Sequence, residues 1–200
     1  MTQPEVAVAI LAAGRGSRLG GDVPKPLVEL RGRPLVSWAL GAATASGLRP
    51  IVLVVGHRGD AVTRAATEGV MVVRSRRWRR GIARSLRAAL EALEPWAQVG
   101  AVAVGLADQP LVGADAYRRL AGAYRDGAHA AVATYHGQRR NPVLLGRTMW
   151  AQARRLDGDE GARVLMDDGV VEVDCTDTGS AADVDTLDDL REAERLLEAR

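Results

Sequence analysis

Residues 11–25 read LAAGRGSRLGGDVPK, and this stretch decides the fold. The residues before it, VAVAI at 6–10, form an apolar run that predicts a buried first strand. Gly14, Gly16, Gly20 and Gly21 follow, interleaved with Arg15 and Arg18 and ended by Lys25. A glycine-rich turn after a first parallel strand leaves backbone N–H groups free to point at an anion. Two arginines and a lysine beside those donors suit a polyphosphate: the backbone fixes the oxygens and the cations neutralise them. The dinucleotide fingerprint G-x-G-x-x-G fails, because Leu19 stands where a third small residue must pack on the strand. The P-loop pattern fails too, because Lys25 is followed by Pro26 and has no adjacent glycine before it. An ordinary glycine-rich connection is the plain alternative.

Strand and helix patterns alternate outward from this stretch, which predicts an α/β fold with a mostly parallel sheet. Helices are expected over 34–46, 61–68, 82–93, 115–124, 147–156, 160–166 and 185–198, with Asp115 as a candidate cap. Strands are expected over 51–55, 70–73, 101–106, 130–135, 143–145 and 170–173. The chain of 200 residues fits a single domain, residues 1–200, without repeat, low-complexity block or linker. Its 47% hydrophobic and 26% charged content is that of a globular protein.

Composition narrows the function. No apolar run approaches a membrane span, and MTQPEVAV lacks the basic start of an export signal, so a cytoplasmic protein with no membrane partner is expected. Cys175 is alone, which excludes an intrachain disulfide and a cysteine metal cluster and leaves a passive thiol. A net charge of +2 with 4% aromatics argues against a nucleic-acid partner. His57, His129 and His136 show no ligand spacing, and no serine–histidine–aspartate set stands out.

Asp108 ends the strand over 101–106, at the edge where open parallel sheets bind ligands. A carboxylate there can hold Mg²⁺ against phosphate oxygens, or it is a turn aspartate before Gln109-Pro110. Asp183 and Asp185 would point the same way from an extended segment and could complete that metal site, or they cap the last helix. Arg74, Arg76, Arg77, Arg79 and Arg80 surround Trp78, as an anion entrance, a weak nucleic-acid patch or a solvated loop. Gly81 leaves room for a base, and Ser85 could hydrogen-bond it. Residues 139–142, RRNP, precede a strand and are expected to edge the same pocket.

Taken in order, LAAGRGSRLG with Lys25, GRPLVSWAL, RRWRRGIARSLRAAL, ADQPLV, NPVLLG, LDGDEGARVLM and ADVDTLDDL resemble the MobA-like nucleotidyltransferases. Within them the chain is most similar to the molybdenum cofactor cytidylyltransferases. The resemblance implies a Rossmann-like, mostly parallel sheet with flanking helices, of the nucleotide-diphospho-sugar transferase type. It implies that Ala13, Gly14, Arg15, Gly16, Ser17 and Arg18 hold the triphosphate, with Leu11 and Ala12 in the same nucleotide-binding run. Gly81 and Ser85 would face the base. Lys25, Arg18 and Asp108 would be catalytic, and Asp108 and Asp185 would bind Mg²⁺. LAAG, where guanylyl transferases usually have LAGG, points to CTP. The acceptor would be a phosphorylated small molecule, molybdopterin, and the product could pass to a molybdoenzyme or chaperone. Arg140-Asn141-Pro142 replaces the usual Gly-His-Pro, and Ala107 replaces the usual glycine. The alternatives are guanylyl transfer from GTP to molybdopterin or to a phospholactate-type acceptor, a nucleotide-sensing module without turnover, and a nicotinamide oxidoreductase, which Leu19 disfavours.

Overall fold

The computed structural model describes residues 5–16, 23–166 and 169–198. Among them, seven strands form one sheet: β1 (Glu5–Ala12), β4 (Ile51–Val55), β5 (Val70–Arg74), β6 (Val99–Leu106), β7 (Ala130–Tyr135), β8 (Gln138–Gly146) and β9 (Val171–Asp174). A small hairpin, β2 (Glu29–Leu30) and β3 (Arg33–Pro34), stands apart. The sheet order is β5-β4-β1-β6-β8-β7-β9. β1 pairs parallel with β4 and β6, β4 pairs parallel with β5, and β8 runs antiparallel to both β6 and β7. The expected mostly parallel α/β architecture is present.

Strand periodicity builds the two faces. Val6, Val8, Ile10 and Ala12 of β1 enter one apolar cluster, whereas Ala7, Ala9 and Leu11 enter the other. The first face is covered by α1 (Leu35–Ala45) and α4 (Ala114–Arg125), through Val36, Leu40, Tyr117 and Leu120. The second is covered by α3 (Ile82–Leu93), through Leu86, Leu90 and Leu93, and by Trp150 of the short α5 (Trp150–Ala153). Helix α6 (Leu187–Glu198) packs Ala193 beside Leu30 and Leu35 in a third cluster with Leu111 and Val184. That cluster ties the C-terminal segment to the carboxyl end of the sheet.

Several elements differ from expectation, each for a local reason. The helix expected over 61–68 is α2 (Gly59–Thr63), whose Thr63 hydroxyl donates to the Gly59 carbonyl at 2.8 Å. Helix α4 is capped by Gly113 rather than by Asp115, which lies in its first turn and pairs with Arg118. A Cβ on Gly113 would meet the Thr178 carbonyl oxygen at 2.0 Å, so crossing backbone reserves that position for glycine. Residues 147–156 form a 3₁₀ turn and the four-residue α5, because buried Trp150 donates its indole N–H to the Leu145 carbonyl at 3.2 Å and anchors the turn. Residues 160–166 form only a 3₁₀ turn, Ala162–Leu165. The strand expected over 143–145 is much longer. β8 begins at Gln138, after a tight turn in which His136 (φ 51°) and Gly137 (φ 74°) are both left-handed.

Close packing makes a prediction. A Cβ on Gly105 in β6 would meet the Tyr117 hydroxyl at 2.2 Å. Gly105→Ala is therefore expected to lower unfolding free energy by about 1–3 kcal/mol in urea titrations, with Tyr117→Phe restoring part of the loss in the double variant.

Candidate active site

The site lies at the carboxyl ends of β1, β4 and β6, where register fixes three loops side by side. Leu11 pairs with Leu106 and Ala12 with Val55. Beyond them, the Ala107 N–H donates to the Leu11 carbonyl at 3.1 Å and the His57 N–H to the Ala13 carbonyl at 3.1 Å. This crowding needs a small residue at position 56: a Cβ on Gly56 would meet the Ala13 oxygen at 2.6 Å and Trp78 Cβ at 2.7 Å.

Leu11, Ala13, Gly14, Arg15, Gly81, Ser85 and Asp108 line one cavity of about 340 Å³, together with Trp78, Arg79 and Asp159. Gly16 lies behind that wall. Its φ is +59°, and a Cβ there would overlap the Lys25 side chain, at 2.0 Å from Lys25 Cβ. The glycine thus lets the loop pack on the lysine stem. Ala12 is buried in the sheet below. Ser17 and Arg18 lie outside the described residues. Ser85 is 3% exposed and reaches the cavity from the first turn of α3. Gly81 lines the cavity as well, but its missing side chain serves packing: a Cβ would meet the Gly158 carbonyl oxygen at 1.9 Å.

Lys25 is 8% exposed, in a short 3₁₀ turn, Lys25–Leu27. Its Nζ donates to Asp108 Oδ2 at 2.6 Å and to Asp185 Oδ1 at 2.8 Å. Burial pulls the Lys25 pKa down, but the charges and hydrogen bonds of Asp108 and Asp185 outweigh it and hold the pKa above its ordinary value. The ammonium stays charged at neutral pH. The structure therefore unites three of the expected residues, from three distant parts of the chain.

The Asp183/Asp185 pair divides between two tasks. Gln109, 2% exposed, donates its amide N–H to the Asp183 carboxylate and the Ala181 carbonyl, both at 3.1 Å. Burial, then the nearby Asp108 charge, pushes the Asp183 pKa up. Helix capping falls to Thr186 and Asp189: the Asp189 carboxylate accepts from the Thr186 N–H and hydroxyl at 2.8 Å each, and the Asp189 N–H donates to the Thr186 hydroxyl at 3.2 Å. Asp185 is thereby held beside Lys25. The Val184 N–H donates to the Asp108 carbonyl at 2.9 Å and fixes this segment over the end of β6.

Asp185 also lines a second, larger cavity of about 670 Å³, with Asp183, His136, Gln138 and Arg140. The ion cluster thus borders two cavities, Asp108 on the smaller and Asp185 on the larger. Gln109, Asp159 and the contribution of His136 were not legible as site residues from the sequence; the paired His136-Gly137 turn was the available signal. Cys175 is buried and its thiol is pushed up to about 11 by that burial, in keeping with a passive role.

Residues 8–173 match the model of the MobA-like NTP transferase domain. The chain belongs to this family. Among similar solved structures, Rv0371c from Mycobacterium tuberculosis H37Rv is 30% identical, with a TM-score of 0.82 over 97% of this chain and 100% of the other. The Rv0371c complex with manganese is 29% identical, with a TM-score of 0.77 over 96% of this chain and 98% of the other. Molybdopterin-guanine dinucleotide biosynthesis protein A from Archaeoglobus fulgidus shares the fold, at 19% identity and a TM-score of 0.73 over 97% and 100% of the two chains. The nicotine blue oxidoreductase of Paenarthrobacter nicotinovorans is 32% identical over 94% of this chain and 95% of its own length. The bifunctional protein GlmU of Kineococcus radiotolerans is 40% identical over 74% of this chain, and the chain spans only 30% of that protein. This MobA-like chain is thus a nucleotidyltransferase-family α/β domain, and among the described residues no helix is long and apolar enough to cross a membrane.

The electrostatics of the cavity predict a titration. Partial burial, then Arg15, Arg58 and Arg79, hold the His57 pKa below its ordinary value. This histidine therefore contributes stability that is present above about pH 6.5 and is lost as pH falls through its depressed folded value. A polyphosphate that neutralises Arg15 and Arg79 is expected to raise the His57 pKa, read by NMR as an upfield-to-downfield midpoint moving to higher pH. An unmoved midpoint would place the anion elsewhere.

Proposed function

We propose that the protein is a Mg²⁺-dependent cytidylyltransferase that moves CMP from CTP to the terminal phosphate of molybdopterin, releasing pyrophosphate. The observation that carries this reading is the Asp108–Lys25–Asp185 cluster bordering two cavities. Transfer between a nucleotide and a second phosphorylated molecule needs two adjoining sites with cation and carboxylate chemistry where they meet. The smaller cavity suits the nucleotide: backbone and Arg15 at the phosphates, with Ser85 near the base. Ser17 and Arg18 are proposed to complete the phosphate loop. The larger cavity suits the acceptor, with Arg140 and His136 available to its anionic groups.

Asp108 and Asp185 meet at one cation, the Lys25 ammonium, at 2.6 and 2.8 Å, so a metal taken by both carboxylates would displace that ammonium from between them towards the substrate phosphates. Asp108 and Asp185 would hold Mg²⁺, which commonly takes one or two carboxylates and fills its remaining positions with water and substrate phosphate. When bound it would neutralise charge on the phosphates. The manganese complex of Rv0371c supports a divalent ion in this fold. In the reaction, an acceptor phosphate oxygen forms a bond to the α-phosphorus while the bond from that phosphorus to the β-phosphate oxygen breaks. The attacking oxygen is already anionic, so no strong base is required. Lys25 neutralises developing negative charge, and the two cavities align the reactants.

A second reading, an oxidoreductase, is favoured by one observation: the near-full-length likeness to the nicotine blue oxidoreductase. Hydride transfer needs no ammonium–carboxylate cluster, which is why nucleotidyl transfer is preferred. Replacing CTP by GTP, and molybdopterin by another phosphorylated acceptor, gives the nearest variants of the preferred reading. A third outcome is nucleotide binding without turnover.

The test is pyrophosphate release from CTP and GTP with molybdopterin as acceptor. CTP is expected to be preferred, and activity to require Mg²⁺. Lys25→Ala and Asp108→Asn are each expected to lower kcat by about 10²–10³-fold while leaving the fold intact. Near-normal turnover in Lys25→Ala would overturn its assigned role. Reduced nicotinamide consumption unaffected by Asp108→Asn would favour the oxidoreductase.

A further inference from the structure

The arginine-rich loop holds more than the nucleotide chemistry uses. Arg74, Arg76, Arg77, Arg84 and Arg87 line a cavity of about 380 Å³ that also receives buried Ser75. None of these residues lines the nucleotide cavity, which instead takes Trp78, Arg79, Gly81, Ile82 and Ser85 from the same loop and helix. Helix geometry accounts for the division. Positions 84, 87, 88 and 91 of α3 form one stripe, and positions 82 and 85 lie on another face.

The charge in this arginine-lined cavity is poorly balanced. Glu91 is the acid that lines it among the described residues. Arg74 pairs with Asp60, and Arg84 with Asp157 at 2.6 Å. Arg76, Arg77 and Arg87 have no carboxylate partner among the described residues. Arg87 gives one N–H to the Arg154 carbonyl. The Nε atoms of Arg84 and Arg87 are buried and have no hydrogen-bond partner among the described residues. Guanidinium groups gathered around one cavity repel one another. A ligand rich in anionic oxygens relieves that repulsion, because each guanidinium offers a planar fork matched to phosphate.

We propose that this cavity is a second anion site that takes a compact, multiply charged phosphate. Its size and concavity favour such a ligand over nucleic acid. Its lining contains no aromatic residue on which a base could stack; Trp78 faces the other cavity. The proposal does not depend on the nucleotide reading, since it rests on different residues.

The probe is inorganic pyrophosphate, titrated calorimetrically without divalent metal. Wild type is expected to bind pyrophosphate at this cavity under those conditions. Arg76→Gln/Arg77→Gln/Arg87→Gln is expected to weaken that binding by about tenfold or more and to leave metal-dependent nucleotide affinity unchanged. Arg15→Gln/Lys25→Gln is expected to leave the metal-free pyrophosphate binding in place. A triple variant that titrates like wild type would overturn the proposal, as would loss of all binding in Arg15→Gln/Lys25→Gln. Should the triple variant fail to fold, arginine modification by phenylglyoxal answers the same question in wild type. Pyrophosphate is expected to protect Arg76, Arg77 and Arg87, and absence of protection would contradict the site. Single-stranded oligonucleotide binding that displaces pyrophosphate from the cavity and depends steeply on salt would assign the surface to nucleic acid instead.

Discussion

One ammonium between two carboxylates organises the functional end of this protein. Lys25 joins Asp108, which is 83 residues away, to Asp185, which is 160 away. In a partly desolvated setting, two carboxylates close together need a cation, and a buried lysine needs an anion. Each side of the cluster therefore requires the other. The surrounding structure is shaped to keep them in reach. Gly16 clears space for the lysine stem, Gln109 holds Asp183 aside, and the Val184–Asp108 backbone bond brings the C-terminal segment over β6.

The sheet makes this possible at a distance from the chemistry. Alternating side chains of β1, β4 and β6 fill both apolar layers, so the strand ends are rigid and their register places the loops after Ala12, Val55 and Leu106 together. Loops on such a scaffold can change function without changing the fold. The relatives illustrate the point: a protein named for molybdopterin-guanine dinucleotide biosynthesis shares this fold, and one named an oxidoreductase is similar over nearly its full length. The proposed transfer between two bound molecules rests on the two cavities that the ion cluster borders.

The strands over 51–55 and 130–135 and the helix over 82–93 were legible because their apolar periodicity is long and unbroken. The glycine–arginine run after β1 was legible as a cavity wall through Gly14 and Arg15. The short helical turns after Gly146 were over-read, since the apolar spacing there reflects Trp150 anchoring one turn rather than a continuous helix. The larger cavity was hidden because it depends on a hairpin turn, His136-Gly137, that folds residues 138–142 back beside β7. The sequence suggested both roles of the 183–186 segment but could not divide them. Only the Thr186–Asp189 capping pair shows why Asp185 is directed to Lys25. Gly81 lines the smaller cavity, and its missing side chain makes room for the Gly158 backbone.

The central claim is that a divalent ion and a nucleoside triphosphate bind together at the Lys25–Asp108–Asp185 cluster. Calorimetric titration of CTP, with Mg²⁺ and with EDTA, into wild type and Asp108→Asn tests it most directly. CTP binding is expected to require the metal and to be lost in the variant. Equal binding in EDTA, or undiminished metal-dependent binding in Asp108→Asn, would contradict it.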